Sequence, residues 1–222
     1  MVTPVIADYR ELDQVRQMCH QIIQDILGED GCLDVLINNA GVYKDDFDLT
    51  KDGFEETYQV NVLASHIVTA LLWRRVSERI INVASISASS GVDLEAYYKG
   101  KITRETFSGH REYSNSKLFN IMQTLEQAAR LHGMTNVTVN CLDPGTVNTK
   151  MLLAGWGRIG IPVEEAGDQM YLAASDEIRG MTGQYFVSRR PVRPPSPALD
   201  TSMRKNFITM VEEHTGTPLL GT

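Results

Sequence analysis

The sequence is poor in cysteine and in positive charge. Three of its 222 residues are cysteines, Cys19, Cys32 and Cys141, and they form no CxxC pair. Since they lie in apolar periodic segments, we expect buried free thiols and a reducing compartment, the cytoplasm. Lys and Arg number 21 against 28 Asp and Glu, a formal net charge of −7. This balance disfavours a nucleic acid or an anionic membrane as partner and favours a small molecule.

The sequence also lacks a membrane-spanning run, a signal peptide and a metal-ligand pattern. Its longest apolar stretch, residues 62–73, is too short for a bilayer and contains Ser65 and His66, so a buried helix is predicted there. No basic start precedes an apolar core. The five histidines share no ligand spacing, so no metal is expected. Because no linker divides the chain, residues 1–222 are predicted to form one domain.

What is present is an alternation of strands and helices. We predict strands at residues 4–8, 33–37, 79–84, 137–142 and 184–187, and helices at residues 12–26, 53–73, 113–132, 164–175 and 198–214. This order is typical of βαβ units, so an α/β fold is predicted, a doubly wound parallel sheet in a three-layer α/β/α arrangement. Ligands bind beyond the carboxyl ends of such strands, where Asn39, Ser85 and Pro144-Gly145 fall.

A tyrosine and a lysine stand one helical turn apart in the sequence Tyr113-Ser114-Asn115-Ser116-Lys117. On a helix, positions 113 and 117 project from one face. A tyrosine hydroxyl has a reference pKa of about 10, and a nearby cation stabilises its phenolate. The pair could therefore exchange a proton with an alcohol or a carbonyl oxygen. The spacing alone is not specific, because it also occurs on many solvated helices.

Further motifs occur in order around this pair. They are an NNAG turn at residues 38–41, a mid-helix Asn61, Ser85 at a strand end, YxxxK at residues 113–117, and Pro144-Gly145 followed by Thr149. With these motifs the chain resembles the short-chain dehydrogenase/reductase family, and within it the retinol-dehydrogenase-like branch, over essentially all of its length.

The resemblance implies an oxidoreductase that interconverts an alcohol and a ketone or aldehyde by hydride transfer with NAD or NADP. It implies Tyr113 as general acid/base, Ser85 as a hydrogen-bond partner of the substrate oxygen, and Lys117 as the cation that lowers the pKa of Tyr113 and holds the nicotinamide ribose. Asn61 would anchor a water of the proton relay. The residues implied as cofactor neighbours are Asp8, Asn39, Ala40, Gly41, Pro144, Gly145 and Thr149, with Tyr113 and Lys117.

Each implied role has a structural alternative. Asp8 precedes a helix and could simply cap it. Asn61 could be a buried amide that satisfies a helix carbonyl. Another serine of the same segment, Ser87, Ser89 or Ser90, could take the place of Ser85. Asn39 and Thr149 could satisfy loop backbone groups and not contact the cofactor.

One family motif has no counterpart here. The TGxxxGxG turn, which brings a helix N-terminus to the pyrophosphate, does not occur in the sequence. We therefore expect two βα units, about 60 residues, to be missing, together with the side chains that choose between NAD and NADP. Three explanations of the absent motif are open: an incomplete gene model or splice form, a truly shortened protein, or a sheet completed by a partner chain.

The alternatives to a reductase are a non-catalytic binding or regulatory protein of the same fold and an epimerase or dehydratase.

The branch suggests an apolar substrate, such as a retinoid, steroid or lipid aldehyde. Residues 94–112 and 151–161, the latter with Trp156, are predicted either to line its pocket or to pack as surface loops. The family often pairs through the helices at residues 53–73 and 113–132, which makes a homo-oligomer one option. The branch often carries a membrane anchor ahead of this segment, so the resemblance leaves membrane association open.

Overall fold

Four apolar runs of the sequence form parallel strands of one sheet in the computed structural model, which describes residues 2–155 and 157–219. The strands are β1 (Leu33–Asn38), β2 (Val76–Val83), β3 (Thr138–Asp143), β4 (Tyr185–Val187) and β5 (Arg190–Val192). They lie in the order β1-β2-β3-β4-β5, and all neighbours are parallel except the antiparallel pair β4 and β5. The predicted parallel sheet is confirmed, with one antiparallel strand added at its edge.

Strand β5 is not predicted by the sequence, because its segment is rich in proline, which is typical of a stiff loop. All three residues of β5 are exposed, so no apolar alternation marks the strand. The turn that reverses the chain uses Ser188 and Arg189, at φ values of 48° and 63°. Positive φ at both central residues is the backbone of a type I′ hairpin turn, usually built from Asn and Gly.

The strand predicted at residues 4–8 is wrong, since these residues carry no regular secondary structure. A strand needs a hydrogen-bonded neighbour, and within the described residues β1 pairs with β2 alone. Asp8 also does not cap the helix that follows it. Glu11 is the N-cap of the first helix and makes no side-chain cap, while the Asp8 carboxylate accepts the N–H of Arg10 at 2.9 Å.

The α-helices found in the described residues follow the predicted alternation. They are α1 (Leu12–Gln21), α2 (Glu56–Tyr58), α3 (Ala64–Leu72), α4 (Leu94–Tyr98), α5 (Gly109–Leu131), α6 (Lys150–Gly155), α7 (Asp168–Ala174), α8 (Ser196–Leu199) and α9 (Thr201–Thr215). Two π-helical turns, Ile22–Leu27 and Gln59–Leu63, extend α1 and join α2 to α3. The predicted helix 198–214 is interrupted at Asp200, whose carboxylate caps α9 at the N–H of Met203.

Helix α5 begins four residues before the predicted start, so Tyr113 lies in its second turn. The apolar residues at helical spacing that predict this helix begin at Leu118, so the first turn of the helix carries no apolar signal. Gly109 is the first residue of the helix. A Cβ at this position would lie 2.1 Å from the carbonyl oxygen of Lys44. A glycine is therefore required where the helix meets that loop.

The helices cover both faces of the sheet. Helices α3 and α5 pack on one face and α7 on the other, where Leu172 meets Ile81, Leu142 and Phe186. Helix α9 packs on the outer side of α5, and Phe207 stacks on Phe119 at a centroid distance of 4.6 Å. The apolar side chains of α5 are thus buried against other elements of the same chain. Within the described part of the chain, no helix is long and apolar enough to cross a membrane.

Candidate active site

The loops that follow β1, β2 and β3 meet at the carboxyl edge of the sheet and surround a cavity of about 840 Å³. Parallel strands end at the same edge, so residues distant in sequence converge there. The predicted site residues that line the cavity are Asn39, Ala40, Gly41, Ser85, Tyr113, Lys117, Pro144, Gly145 and Thr149. The volume lies within the range of about 300–1,000 Å³ that small-molecule sites occupy.

Tyr113 and Lys117 project from α5 into this cavity. Both are buried, with 7% and 4% of their surface exposed. The ammonium nitrogen of Lys117 lies 5.5 Å from the centre of the Tyr113 ring and donates a hydrogen bond to the carbonyl oxygen of Val83 at 3.1 Å. Asn120 donates to the same oxygen at 3.2 Å. The last carbonyl of β2 therefore holds the lysine at the end of the strand.

Burial dominates the ionisation of both groups. It lowers the pKa of Lys117 to about 8, while the negative charge of Asp143 acts in the opposite direction. Burial raises the pKa of Tyr113; a hydrogen bond with Ser85 lowers it, and Asp143 raises it further. The lowered tyrosine pKa expected from the resemblance is thus not found in this structure. The phenol stays protonated at neutral pH, which suits it to donate a proton.

Ser85 is the serine whose side chain is hydrogen-bonded to the side chain of Tyr113. It is buried and accepts the N–H of Ser87 at 3.1 Å. Ser87 lines the cavity but is exposed, and Ser89 turns its hydroxyl to the carbonyl of Gly91. The geometry favours Ser85 among the serines of this segment.

Asn61 lies in the π-helical turn between α2 and α3, a local geometry that is frequent at functional sites. Its amide clamps the loop after β1: the oxygen accepts the N–H of Val42 at 2.7 Å, and the nitrogen donates to the Val42 carbonyl at 3.0 Å. The same nitrogen donates to the Ser116 hydroxyl at 3.0 Å. Asn61 therefore ties the loop to α5. It is a buried amide, as the structural alternative expects, but the carbonyl that it satisfies lies in the loop after β1 and not in a helix. The relay water stays a prediction.

Gly41 lies directly over the pair formed by Asn61 and Lys117. A Cβ at this position would lie 3.3 Å from the Asn61 oxygen and 3.6 Å from the Lys117 nitrogen. The absence of a side chain keeps the cavity wall thin here and gives a flat ligand access to Lys117. This cradle, with the neighbouring loop backbone, fits the nicotinamide end of a dinucleotide.

The two remaining residues with implied cofactor contacts, Thr149 and Asp8, differ in their distance from the cavity. The Thr149 hydroxyl accepts the N–H of Leu152 at 3.3 Å at the start of α6, so it satisfies a helix N–H and not a loop group as the alternative expects. Thr149 also lines the cavity. Asp8 is exposed in the turn before α1 and is not among the residues that line the cavity. Its adenine contact stays a prediction.

The two segments predicted to line a substrate pocket behave differently. Segment 151–161 contributes Met151, Leu152 and Ile159 to the cavity wall, while no residue of 94–112, which the structure describes completely, lines it. Tyr97 of the latter segment packs instead on Tyr58 and Phe119. Trp156 lies outside the described residues. Among residues 2–155 and 157–219, no cluster of three or more His, Cys, Asp or Glu side chains could hold a metal ion.

Asp143 is a site residue that the sequence motifs do not predict, because it stands between the strand predicted at residues 137–142 and the Pro144-Gly145 motif. Asp143 lines the cavity with 5% of its surface exposed. An acid at the end of an otherwise apolar strand was the available signal. A carboxylate buried at that position needs partners, and the sequence does not identify them.

The fold and the site together define a doubly wound α/β protein with a tyrosine–lysine pair at the carboxyl edge of its sheet, and comparison with known proteins identifies its family. The family model for short chain dehydrogenase matches residues 1–155, and the chain belongs to this family. Within it the chain belongs to the retinol-dehydrogenase-like branch: it is 34% identical to retinol dehydrogenase 14 of Mus musculus over 94% of its own length. It spans 66% of that relative, just under two thirds.

Solved structures share the fold of this chain. A protein from Mycobacterium Paratuberculosis, 26% identical, superimposes with a TM-score of 0.76 over 96% of this chain and 75% of that one. A blue fluorescent protein from a metagenomic library, solved in complex with NADPH, is 28% identical with a TM-score of 0.59 over 82% of this chain and 72% of that one. Both likenesses support the doubly wound α/β fold described above, which is a Rossmann-like fold.

Proposed function

We propose that this chain is an NAD(P)-dependent oxidoreductase that interconverts an alcohol and a ketone or aldehyde by hydride transfer. The observation that carries this proposal is the buried Tyr113–Lys117 pair, with Ser85 hydrogen-bonded to the phenol, at the carboxyl edge of three parallel strands. When bound, the nicotinamide ring exchanges a hydride with the substrate carbon. The protein supplies the proton and the orientation.

Each of the three side chains has a distinct part in the reduction. Tyr113 donates its proton to the oxygen of the carbonyl as negative charge develops there, and Ser85 donates a hydrogen bond to the same oxygen. Lys117, 5.5 Å from the tyrosine ring, stabilises the phenolate that remains. In the reverse direction the phenolate takes the proton of the alcohol. The raised pKa of Tyr113 makes alcohol oxidation require higher pH than carbonyl reduction.

We further propose that the substrate is apolar. The outer wall of the cavity contains Ile86, Met151, Leu152, Ile159 and Val163, and three of these, Ile86, Ile159 and Val163, are more than half exposed. An apolar ligand that covered them would gain about 25 cal/mol for each Å² removed from water. The names of the retinol dehydrogenases in the same branch support this class of substrate.

A turnover assay tests the proposal. The purified chain is mixed with NADPH or NADH and with all-trans-retinal, a long-chain aldehyde, a steroid ketone or a short polar aldehyde as control, and the consumption of reduced cofactor is followed. We expect consumption with at least one apolar carbonyl and much less with the polar control. No consumption with any substrate, although the cofactor binds, would contradict the proposed activity.

A non-catalytic binding role of the same fold is the second candidate. It is favoured by one feature, the outer edge of β1, which within the described residues has no strand beside it. An unpaired edge is a template for strand addition by another chain. A folded chain that shows no saturable binding of NADPH or NADH would favour this candidate over the reductase.

A further inference from the structure

Asp143 joins two loops of the candidate site through its carboxylate. It is the last residue of β3 and is buried. One oxygen accepts the N–H of Ile86 at 2.9 Å, and the other accepts the N–H of Gly145 at 3.0 Å. Hydrogen bonds to an ionised acceptor are about twice as strong as neutral ones. The carboxylate therefore fixes the spacing between the segment that follows β2 and the turn that follows β3.

Both loops contain residues with proposed roles in the reaction. Ile86 directly follows Ser85, and Gly145 belongs to the Pro144-Gly145 turn that lines the cavity. Gly145 has a φ of +74°, a left-handed conformation that suits glycine. Movement of the carboxylate would displace the serine hydroxyl and this turn together.

Asp143 also supplies the negative charge of the cavity. Among the described residues that line it, Lys117 and Asp143 are the two with charged side chains, so one cation and one anion share a buried space. The groups on which the charge of Asp143 acts are Lys117 and Tyr113 from α5 and Tyr185 from β4, and it raises the pKa of each. A buried ammonium without such a counter-charge is costly and tends to lose its proton.

We propose that Asp143 is a positioning residue that clamps the Ser85 loop to the Gly145 turn and supplies the negative charge that shares the cavity with the ammonium of Lys117. It does not touch the substrate in this role, and its effect on the reaction passes through Ser85 and Lys117. The role in the reaction rests on the proposed function, whereas the clamp and the charge pairing are properties of the protein without substrate.

The charge pairing is tested without any activity measurement. In the full chain labelled with ¹³C-lysine, the Cε resonance of Lys117, assigned with Lys117→Arg, is followed by NMR across neutral and alkaline pH. The wild-type midpoint is expected near the pKa of about 8. Asp143→Asn removes the charge and should lower this midpoint by about 1 pH unit. An unchanged midpoint would overturn the proposal.

Glu112→Gln is the matched control. Glu112 is also a buried carboxylate on α5, next to Tyr113, but its oxygens are bound to Tyr97 and Arg111. Its neutralisation should leave the Lys117 midpoint in place, and an equal fall in both variants would contradict a specific role for Asp143.

If Asp143→Asn does not fold, the wild-type chain labelled with ¹³C-aspartate is used for the same test. The Asp143 carboxyl resonance, assigned with Asp143→Glu, must then change at the pH where Lys117 titrates. A flat response overturns the pairing.

Kinetics then test the role in the reaction. In Asp143→Asn we expect the alkaline loss of kcat to begin at lower pH, by the same interval as the NMR midpoint, together with a lower kcat at the optimum. An unshifted pH profile beside a shifted Lys117 titration would refute the kinetic role. A wild-type chain with no turnover would refute the proposed function but not the charge pairing between Asp143 and Lys117, because the NMR titration does not depend on activity.

Discussion

The ammonium of Lys117 lies one helical turn from the phenol of Tyr113, 5.5 Å from the ring centre, and is held there by the carbonyl of Val83. Both side chains are removed from water, and burial is the largest cause of the shift in both pKa values. The pair is therefore poised with a protonated phenol and a lysine that titrates near pH 8. The first two predictions follow from this state.

Lys117→Met should stabilise the fold while it abolishes function. The pKa of Lys117 is lowered from 10.5 to about 8, so the unfolded chain binds this proton more tightly than the folded chain. At neutral pH the difference destabilises the folded state by about 3 kcal/mol. Methionine removes the buried charge and keeps the apolar stem, although it loses the bond to Val83. Urea unfolding at pH 7 should show a higher free energy of unfolding than wild type; a lower one would contradict this account.

The pH dependence of carbonyl reduction should follow Lys117. Below its pKa of about 8 the lysine is charged and stabilises the developing phenolate, and the raised pKa of Tyr113 keeps the phenol protonated. We expect kcat for reduction to be flat near neutrality and to fall as pH rises through about 8. Lys99→Met, which changes an exposed lysine paired with Glu95, should leave this profile unchanged. A rate that rises through the same range would refute the assignment.

Asn61→Ala should destabilise the protein strongly, because three hydrogen bonds depend on the amide. Loss of buried partners of this kind costs about 2–4 kcal/mol in total. Ser116→Ala removes one of these bonds and leaves both bonds to Val42, so its cost should be closer to about 1 kcal/mol. Denaturant unfolding of the two variants makes the comparison. Equal, small costs would show that the amide does not hold the loop.

Gly41→Ala should weaken cofactor binding more than it weakens the fold. The added methyl would meet the Asn61 oxygen at 3.3 Å and the Lys117 nitrogen at 3.6 Å, so it would fit tightly and would thicken the cavity wall over the lysine. Gly91→Ala is the control, since a Cβ there meets nothing within 4 Å. Fluorescence titration with NADPH should give a raised Kd for Gly41→Ala alone. Equal Kd values would exclude this wall from the cofactor site.

The sequence predicted β1, β2, β3 and β4 because each is a short apolar run that ends at a polar turn, a pattern that depends on local chemistry. It failed where structure depends on distant neighbours. Residues 4–8 have strand-like composition but no strand beside them, and β5 exists because a turn at Ser188 and Arg189 folds it back onto β4. Composition alone records neither fact.

The same distinction holds for the site. Motif residues such as Tyr113, Lys117 and Ser85 could be found from spacing and resemblance, and the structure brings them into one cavity. Asp143 could not, since its partner Ile86 is 57 positions away and offers only a backbone N–H. The direction of the Tyr113 pKa was also beyond the sequence, because it depends on how completely the fold excludes water from the phenol.

The measurement that tests the central claim most directly is single-turnover reduction of an apolar aldehyde by wild type and Tyr113→Phe, with cofactor binding measured on both. Phenylalanine keeps the ring and removes the proton. We predict unchanged NADPH affinity and thermal stability, and a rate of reduction lower by about 10²–10⁴. A variant that binds NADPH and reduces the aldehyde at the wild-type rate would show that Tyr113 is not the proton donor.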